Sequence, residues 1–436
     1  MPTPSLILVP ARFKTGKLYT PVATTSGGLV LGASGDFNVT RATTATRVNA
    51  SGLIESVASG VPRLDYYTSG GTAGCPALLV EASGSNAFIQ SQTLFTSHLV
   101  QNLTTSGYAN VAISPDGTQN AEKFVPNTTN GVHGIADITS QTITSGTTYT
   151  FSCFAKSDGG ANFPLIVLQL DSSTAWGATR NAIFNVVSGT IHGSAPSGVT
   201  MRTENYGSGW YRFSATATAI GSVSGTFQYR IYVPNSSATL SYAAASGNTE
   251  GVLVWGAQLE VGSIATSYIP TTTAAVTRNA DVISVAGAVS GCIGQTEGTL
   301  YAEVDIRTFA NLGVFLSISN GGGNDRIEIY KNTDSKIYFD RVSATASGTT
   351  SVSSTSTYSA GILKVAVAYK SGDTIMYING SPATTVQTAT FTFLPITKIN
   401  IGTNRADISQ FNDRIRSAAL YTTRLTDSQL AALTTL

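Results

Sequence analysis

The chain has 436 residues, of which only 11% are charged, against about 25% in an average soluble domain. With 25 Lys+Arg against 24 Asp+Glu, the net charge is +1, which leaves no basic footprint for nucleic acid and no polybasic patch for anionic lipid. The 42% of hydrophobic and 9% of aromatic residues exclude a disordered chain and suit extended structure with hydroxyl-rich faces, where Thr packs well.

At roughly 150 residues per domain, the length allows two to four domains. Three cysteines, Cys75, Cys153 and Cys292, lie far apart. Such a sparse, odd set argues against a disulfide framework or a zinc site and predicts buried apolar thiols. The stretch Met1–Pro10 is apolar for only a few positions and has no basic leader, and no run approaches the ~18 apolar residues of a membrane span. The expectation is a protein made and folded in a cytoplasm, with no membrane insertion and no nucleic-acid partner.

Residues 1–84 show little helical periodicity. Turn signals stand at Ser26–Gly28, Ala33–Gly35, Ser51–Gly52 and Ser69–Gly71, separated by short apolar pieces. This part reads as an extended segment that wraps over something else. Residues 85–270 read as one antiparallel β-sandwich. Thr147–Ala155 alternates at period two, with Thr148, Thr150 and Ser152 on one face and Tyr149, Phe151 and Cys153 on the other. Phe163–Leu170, Trp210–Ala217, Thr226–Val233 and Val252–Glu260 supply further strands. Residues 271–290 read as a polar, Thr/Ala-rich linker. Residues 291–436 form a second sandwich, opening on Gly298–Ile306 and continuing through Ile362–Lys370, Thr374–Ile378 and Ile399–Gly402. The pattern predicts an all-β chain of two jelly-roll-like sandwiches behind an extended N-terminal segment. The clearest helix is Thr426–Leu433, where Thr426 caps the first turn and Gln429 completes a capping box.

Reactive constellations are scarce. His98, His133 and His192 have no ligand at metal spacing and read as surface or turn residues. No Ser sits in a Gly-x-Ser-x-Gly elbow that opens a helix. Gly321–Asp325 is Gly-rich but lies between two strands, so it reads as a hairpin loop and not a phosphate cradle.

Three groups of residues carry a resemblance to bacteriophage virion proteins. Phe37–Thr46, Gly52–Ile54, Pro62–Tyr66 and Leu78–Asn86 look like the module near the start of head-fibre and tail-fibre proteins. Val254–Gly262, Ser267–Pro270 and Val276–Arg278 are similar to the end of the carbohydrate-binding-like sandwich that follows it. The last third resembles a concanavalin A/laminin-G-type domain. The resemblance implies a structural component of a phage particle: a fibre, spike or decoration protein assembled in the host cytoplasm and located in the virion. Residues 1–84 would anchor it to other virion proteins, and a homo-oligomer, a trimer by preference, would display the sandwiches to host-surface polysaccharide. A purely architectural role is the alternative.

Domains of this type often hold Ca²⁺, for which Asp325, Asp334, Asp340 and Asp407 are available as oxygen donors. Glycan contact needs aromatic faces beside amides and hydroxyls. The candidates are Trp176 in the turn-like Ser172–Gly177, Trp210, Tyr211, Tyr229, Tyr232, Tyr330, Tyr338 and Tyr377, with Trp210, Tyr229 and Trp255 read more as core from their strand patterns. Glycosidases on a similar sandwich use paired carboxylates ~5–5.5 Å apart. Glu303 and Asp305 share a strand face here, but Thr308 stands where the second Glu would fall. A polysaccharide depolymerase is therefore the weakest reading, and no enzyme is expected.

Overall fold

The computed structural model describes all residues except 1, 21, 24–28, 31–35, 227, 288–289, 345–349 and 394. The turn signals at Ser26–Gly28 and Ala33–Gly35 therefore lie outside the described residues. What is described is almost entirely antiparallel β-structure, arranged as two sandwiches.

The first sandwich is built from contiguous sequence. One sheet runs in the order 99–101, 134–136, 229–232, 165–170, 180–185, 190–191; the facing sheet runs 103–104, 119–126, 252–261, 148–157, 211–218, 199–205. Period-two alternation decides which side chains turn inward. Tyr149, Phe151 and Cys153 enter the core, where Phe88, Phe124, Phe184, Phe213 and Tyr229 meet them. Its aromatic rings meet in tilted and stacked pairs such as Phe151–Tyr229, with centroids 5.3 Å apart.

The second sandwich is not contiguous. Its larger sheet places strand Asp413–Tyr421 beside Glu297–Ile306 on one side. On the other side it receives Leu6–Leu8 and Ala77–Val80 from the N-terminal segment. Its second sheet likewise takes Phe37–Thr40, paired with Val282–Ala286. Leu6, Leu8, Phe37, Val39, Leu78 and Val80 sit in the same core as Val304, Ile329, Val365 and Ile399. Gly402, at φ +71°, lets Val80 come close; a Cβ there would stand 2.8 Å from the valine side chain.

The expected division at residue 84 thus changes. The segment is extended, as its composition suggests, but its strands Leu6–Leu8, Phe37–Thr40 and Ala77–Val80 complete another unit's sheets, while Ile54 of the hairpin Ala45–Val57 packs against the first sandwich. The stretch 271–290 differs in the same way. It carries strands Val276–Arg278 and Val282–Ala286, because Ile283 and Val285 point into the core while Arg278 and Asp281 are buried in an ion-pair cluster. The terminal helix spans Asp427–Thr434, with Thr426 as N-cap and Gln429 closing the capping box. Among the described residues, no helix is long and apolar enough to cross a membrane.

Candidate functional site

The densest concentration of chemistry-bearing residues lies where the N-terminal segment, the first sandwich and the second sandwich meet. Arg63, fully buried, bonds Glu81 at 2.7 Å and also holds Asp281. Arg41 reaches Asp281 at 3.0 Å and donates to the carbonyls of Val61 and Ala58. Arg307 spans all three parts, with Glu81 at 3.5 Å, Glu204 of the first sandwich at 3.6 Å and Asp413 at 2.8 Å. Lys331 pairs with Asp413, and Arg414 with Asp65 at 2.7 Å.

Burial by itself would raise the Glu81 carboxyl; Arg63, Arg278 and Arg307 outweigh it and hold that group well below the usual carboxylate range. Burial likewise opposes ionisation of Glu204, and Arg307, Arg202 and Arg212 again prevail. Glu81, Glu204, Asp281 and Asp413 are each paired with at least one buried cation, which suits a fixed joint. Glu260 is instead held by Thr266 and Gln258, and burial pushes its carboxyl up. Sequence reading missed this cluster, although Arg41, Arg63, Asp65, Glu81, Glu260, Ser267 and Arg278 all lie in the strings that carry the phage resemblance. A signal was present: charged residues spaced between buried apolar ones in a chain otherwise poor in charge.

The surface candidates divide sharply. Tyr330 and Tyr338 are cross-strand partners on the outer face of the second sheet. Their rings stack at 5.3 Å with an interplanar angle of 16°, and both are half-buried. Tyr330 donates to Asp340 at 3.1 Å and Tyr338 to Asp334 at 2.6 Å. Burial, then Asp340, pushes the Tyr330 phenol up to about 12. The bond to Asp334 raises Tyr338 and lowers Asp334 in return. Period-two alternation puts Ser351, Ser353, Arg326, Glu328, Asn400 and Lys398 on this same face. The result is a flat aromatic platform set among hydroxyl, amide and charged groups.

Trp176 is not exposed. The turn around it is a single helical turn, Ser173–Trp176, capped by the Ser172 side chain and closed by Gly177 at φ +76°. This swings the indole into the core, where it is 3% exposed and packs edge-on against Tyr149. Tyr377 is also buried, among Ile375, Leu425 and Leu430 beneath the terminal helix. Trp210 and Tyr229 are core residues, as their strand patterns suggest.

The aspartates proposed for Ca²⁺ do not converge. Asp325 takes the Asn320 amide, Asp334 and Asp340 are engaged by tyrosines, and Asp407 is neutralised by Lys398 at 3.0 Å. Among the described residues, no three His, Cys, Asp or Glu side chains gather as a metal would require, so this donor set does not fit the ion. Two histidines differ from expectation in being buried. His98 stacks on Phe88 at 4.6 Å, and the His133 ring nitrogens face the carbonyls of Asn102 and Tyr242. Cys75 is exposed, where a buried thiol was expected, because it lies in a surface loop. Glu303 is paired with Arg416 at 2.7 Å.

No family model matches the chain, and no curated protein matches it. Solved structures similar to part of it include the CBM40 module of the Ruminococcus gnavus IT-sialidase. That likeness has 14% identity and a TM-score of 0.31, covering 34% of this chain and 88% of that one. The native heptameric SAP-like pentraxin from Limulus polyphemus aligns at 16% identity and TM-score 0.25, over 31% of this chain and 68% of that one. The NanB sialidase from Streptococcus pneumoniae aligns at 16% identity and TM-score 0.29, over 34% of this chain; the chain spans 26% of that enzyme.

Proposed function

We propose that this chain is a structural component of a bacteriophage particle that contacts host-surface glycans. The observation that carries the contact is the stacked Tyr330–Tyr338 platform beside the carboxylates of Asp334 and Asp340. A sugar ring offers a C–H face to such a platform and hydroxyl edges to the acceptors around it. Single contacts of this kind are weak, and several copies on one particle, a trimer foremost, would multiply them. The virion assignment rests on the resemblance in Phe37–Thr46, Pro62–Tyr66 and Val254–Gly262. Because strands of the segment 1–84 are built into the second sandwich, attachment to other virion proteins would fall to its exposed residues, such as Val9 and Phe13.

A glycan array probed with the intact protein tests the contact. Binding is expected and is expected to be lost in Tyr338→Ala; a blank array would favour the architectural reading. That second reading has its own support, since so many resemblance residues serve the buried joint.

A further inference from the structure

A groove of about 510 Å³ opens where the hairpin Ala45–Val57, the loop around Thr72 and the turn Tyr206–Gly209 of the first sandwich meet. Its walls include Ser51, Thr72, Ile113, Lys156, Tyr206 and Ser208. The volume falls within the roughly 300–1,000 Å³ usual for small-molecule sites. Tyr67 packs on Tyr206 with ring centroids 5.1 Å apart, so the loop and the turn are held against each other and the groove is formed in advance. The Tyr330–Tyr338 platform lies on the other sandwich.

Lys156 is the one charged residue in this wall. It is half-buried, and its stem lies over Gly209, where a Cβ would stand 3.3 Å from the lysine Cε. No carboxylate among the described residues pairs with its ammonium, because the acids nearby are engaged elsewhere. Asp158, two residues on, is held by Lys123 at 2.8 Å and by the Gly251 amide. Glu204, two residues before Tyr206, faces Arg307, and Asp116, two residues after Ser114, accepts from Ser114, Thr118 and Asn120. The groove thus presents a positive charge in a wall that has no acid to answer it, which favours an anionic guest. Around the ammonium, Ser51, Thr72 and Ser208 are exposed, and their hydroxyls make no hydrogen bond within the described chain. The Tyr206 hydroxyl makes none either; burial pushes this phenol up to about 12, so it keeps its proton to donate at neutral pH. The neighbouring polar groups differ: the Trp210 indole donates to the Ile113 carbonyl at 3.0 Å, and Ser114 to Asp116 at 2.7 Å. Ile113, 54% exposed, adds an apolar edge.

We infer that this groove binds one hydroxyl-bearing carboxylate ring, a hexuronic acid unit of an acidic polysaccharide, with its carboxylate on Lys156 and its hydroxyls among Ser51, Thr72, Tyr206 and Ser208. That the ring is a sugar rests on the glycan-contact reading above; the location of the site and its preference for an anion do not.

Saturation-transfer NMR on the full chain at about 0.15 M salt tests the site, with glucuronate and galacturonate as probes, glucose and galactose as their neutral counterparts and acetate as a competitor. Binding of at least one uronate is expected, roughly ten-fold tighter than that of its neutral counterpart. Lys156→Gln should weaken it roughly ten-fold, the loss of one charge-assisted hydrogen bond, whereas Lys156→Arg should retain it. Thr72→Trp, at an exposed loop position, should fill the groove and abolish transfer, and Lys14→Gln, at an exposed lysine elsewhere, should change nothing. Lys156→Gln and Thr72→Trp should leave the melting temperature within about 2 °C of the parent, since neither removes a bond within the chain; if one of them lowers it, the other decides. The inference is overturned if no uronate binds, if charged and neutral sugars bind equally, or if Lys14→Gln costs as much as Lys156→Gln. It is also overturned if acetate displaces the uronate as well as a second uronate does, since the hydroxyls would then contribute nothing. If uronate transfer ignores Lys156→Gln and Thr72→Trp but disappears in Tyr338→Ala, the glycan-contact reading stands and only the groove falls.

Discussion

The two sandwiches look alike in section and are made differently. The first closes on its own chain, with a core assembled from residues 88–259. The second is completed by strands more than 200 residues away in sequence. Where the second is joined to the first, buried ion pairs stand beside apolar contact, such as Ile54 of the N-terminal segment against Phe154, Trp210 and Trp255. The difference shows that a sandwich's independence cannot be inferred from its outline. It depends on where the chain obtains its edge strands.

The largest expected effect follows directly. Residues 85–270 expressed alone should melt cooperatively, whereas residues 291–436 alone should not, because Leu6–Leu8, Phe37–Thr40 and Ala77–Val80 would be missing from its sheets. Circular dichroism melts of the two pieces make the comparison. A cooperative transition in the second piece would show that the N-terminal strands are ornament.

Next comes the joint. Arg63→Leu leaves Glu81 and Asp281 buried without their main partner and should cost about 3–5 kcal/mol in denaturant unfolding. A cost below about 1 kcal/mol would mean that Arg41, Arg278 and Arg307 can absorb the charge.

The regions should also answer pH in opposite directions. Glu81 and Glu204 have folded pKa values below their unfolded ones. The stability they contribute is present above about pH 4.5 and is lost as pH falls through their folded values. Glu122 of the first sandwich is pushed up to about 7 by burial, against a bond from the Phe95 amide. Its ionisation therefore disfavours the folded state increasingly as pH rises from about 4.5 to 7. Glu122→Gln keeps an acceptor for Phe95 and should stabilise the protein at pH 8 by on the order of 2 kcal/mol, with the gain fading below pH 4.5. A gain that does not vary with pH would remove the electrostatic explanation.

The smallest effect is local. Thr426→Ala removes the capping box of the terminal helix and should cost roughly 1 kcal/mol. The change should leave the first sandwich's protection from hydrogen exchange untouched, because that helix packs on the second sandwich alone.

Some strands of both sandwiches were legible in the sequence, among them Thr148–Ser157, Val252–Val261 and Gly361–Lys370, while Gln119–Pro126, Val199–Asn205 and Asp413–Tyr421 were not named; period-two alternation in Thr147–Ala155 reports a local fact, which side chains share a face. The helix at Asp427–Thr434 was legible for the same reason, since a capping box closes within four residues. The Tyr330–Tyr338 pair could be nominated but not paired, because cross-strand register depends on the hairpin that joins the strands. Trp176 misled because a short capped turn looks like a surface turn until a core is present to receive its indole.

Sequence by itself determined an all-β, charge-poor chain. Only the tertiary structure decided that Leu6–Leu8, Phe37–Thr40 and Ala77–Val80 belong to the second sandwich and that the scattered arginines and acids form one joint. Strand pairing and ion pairing between distant segments leave no periodic trace. Their partners are chosen by shape and charge after the chain has closed on itself.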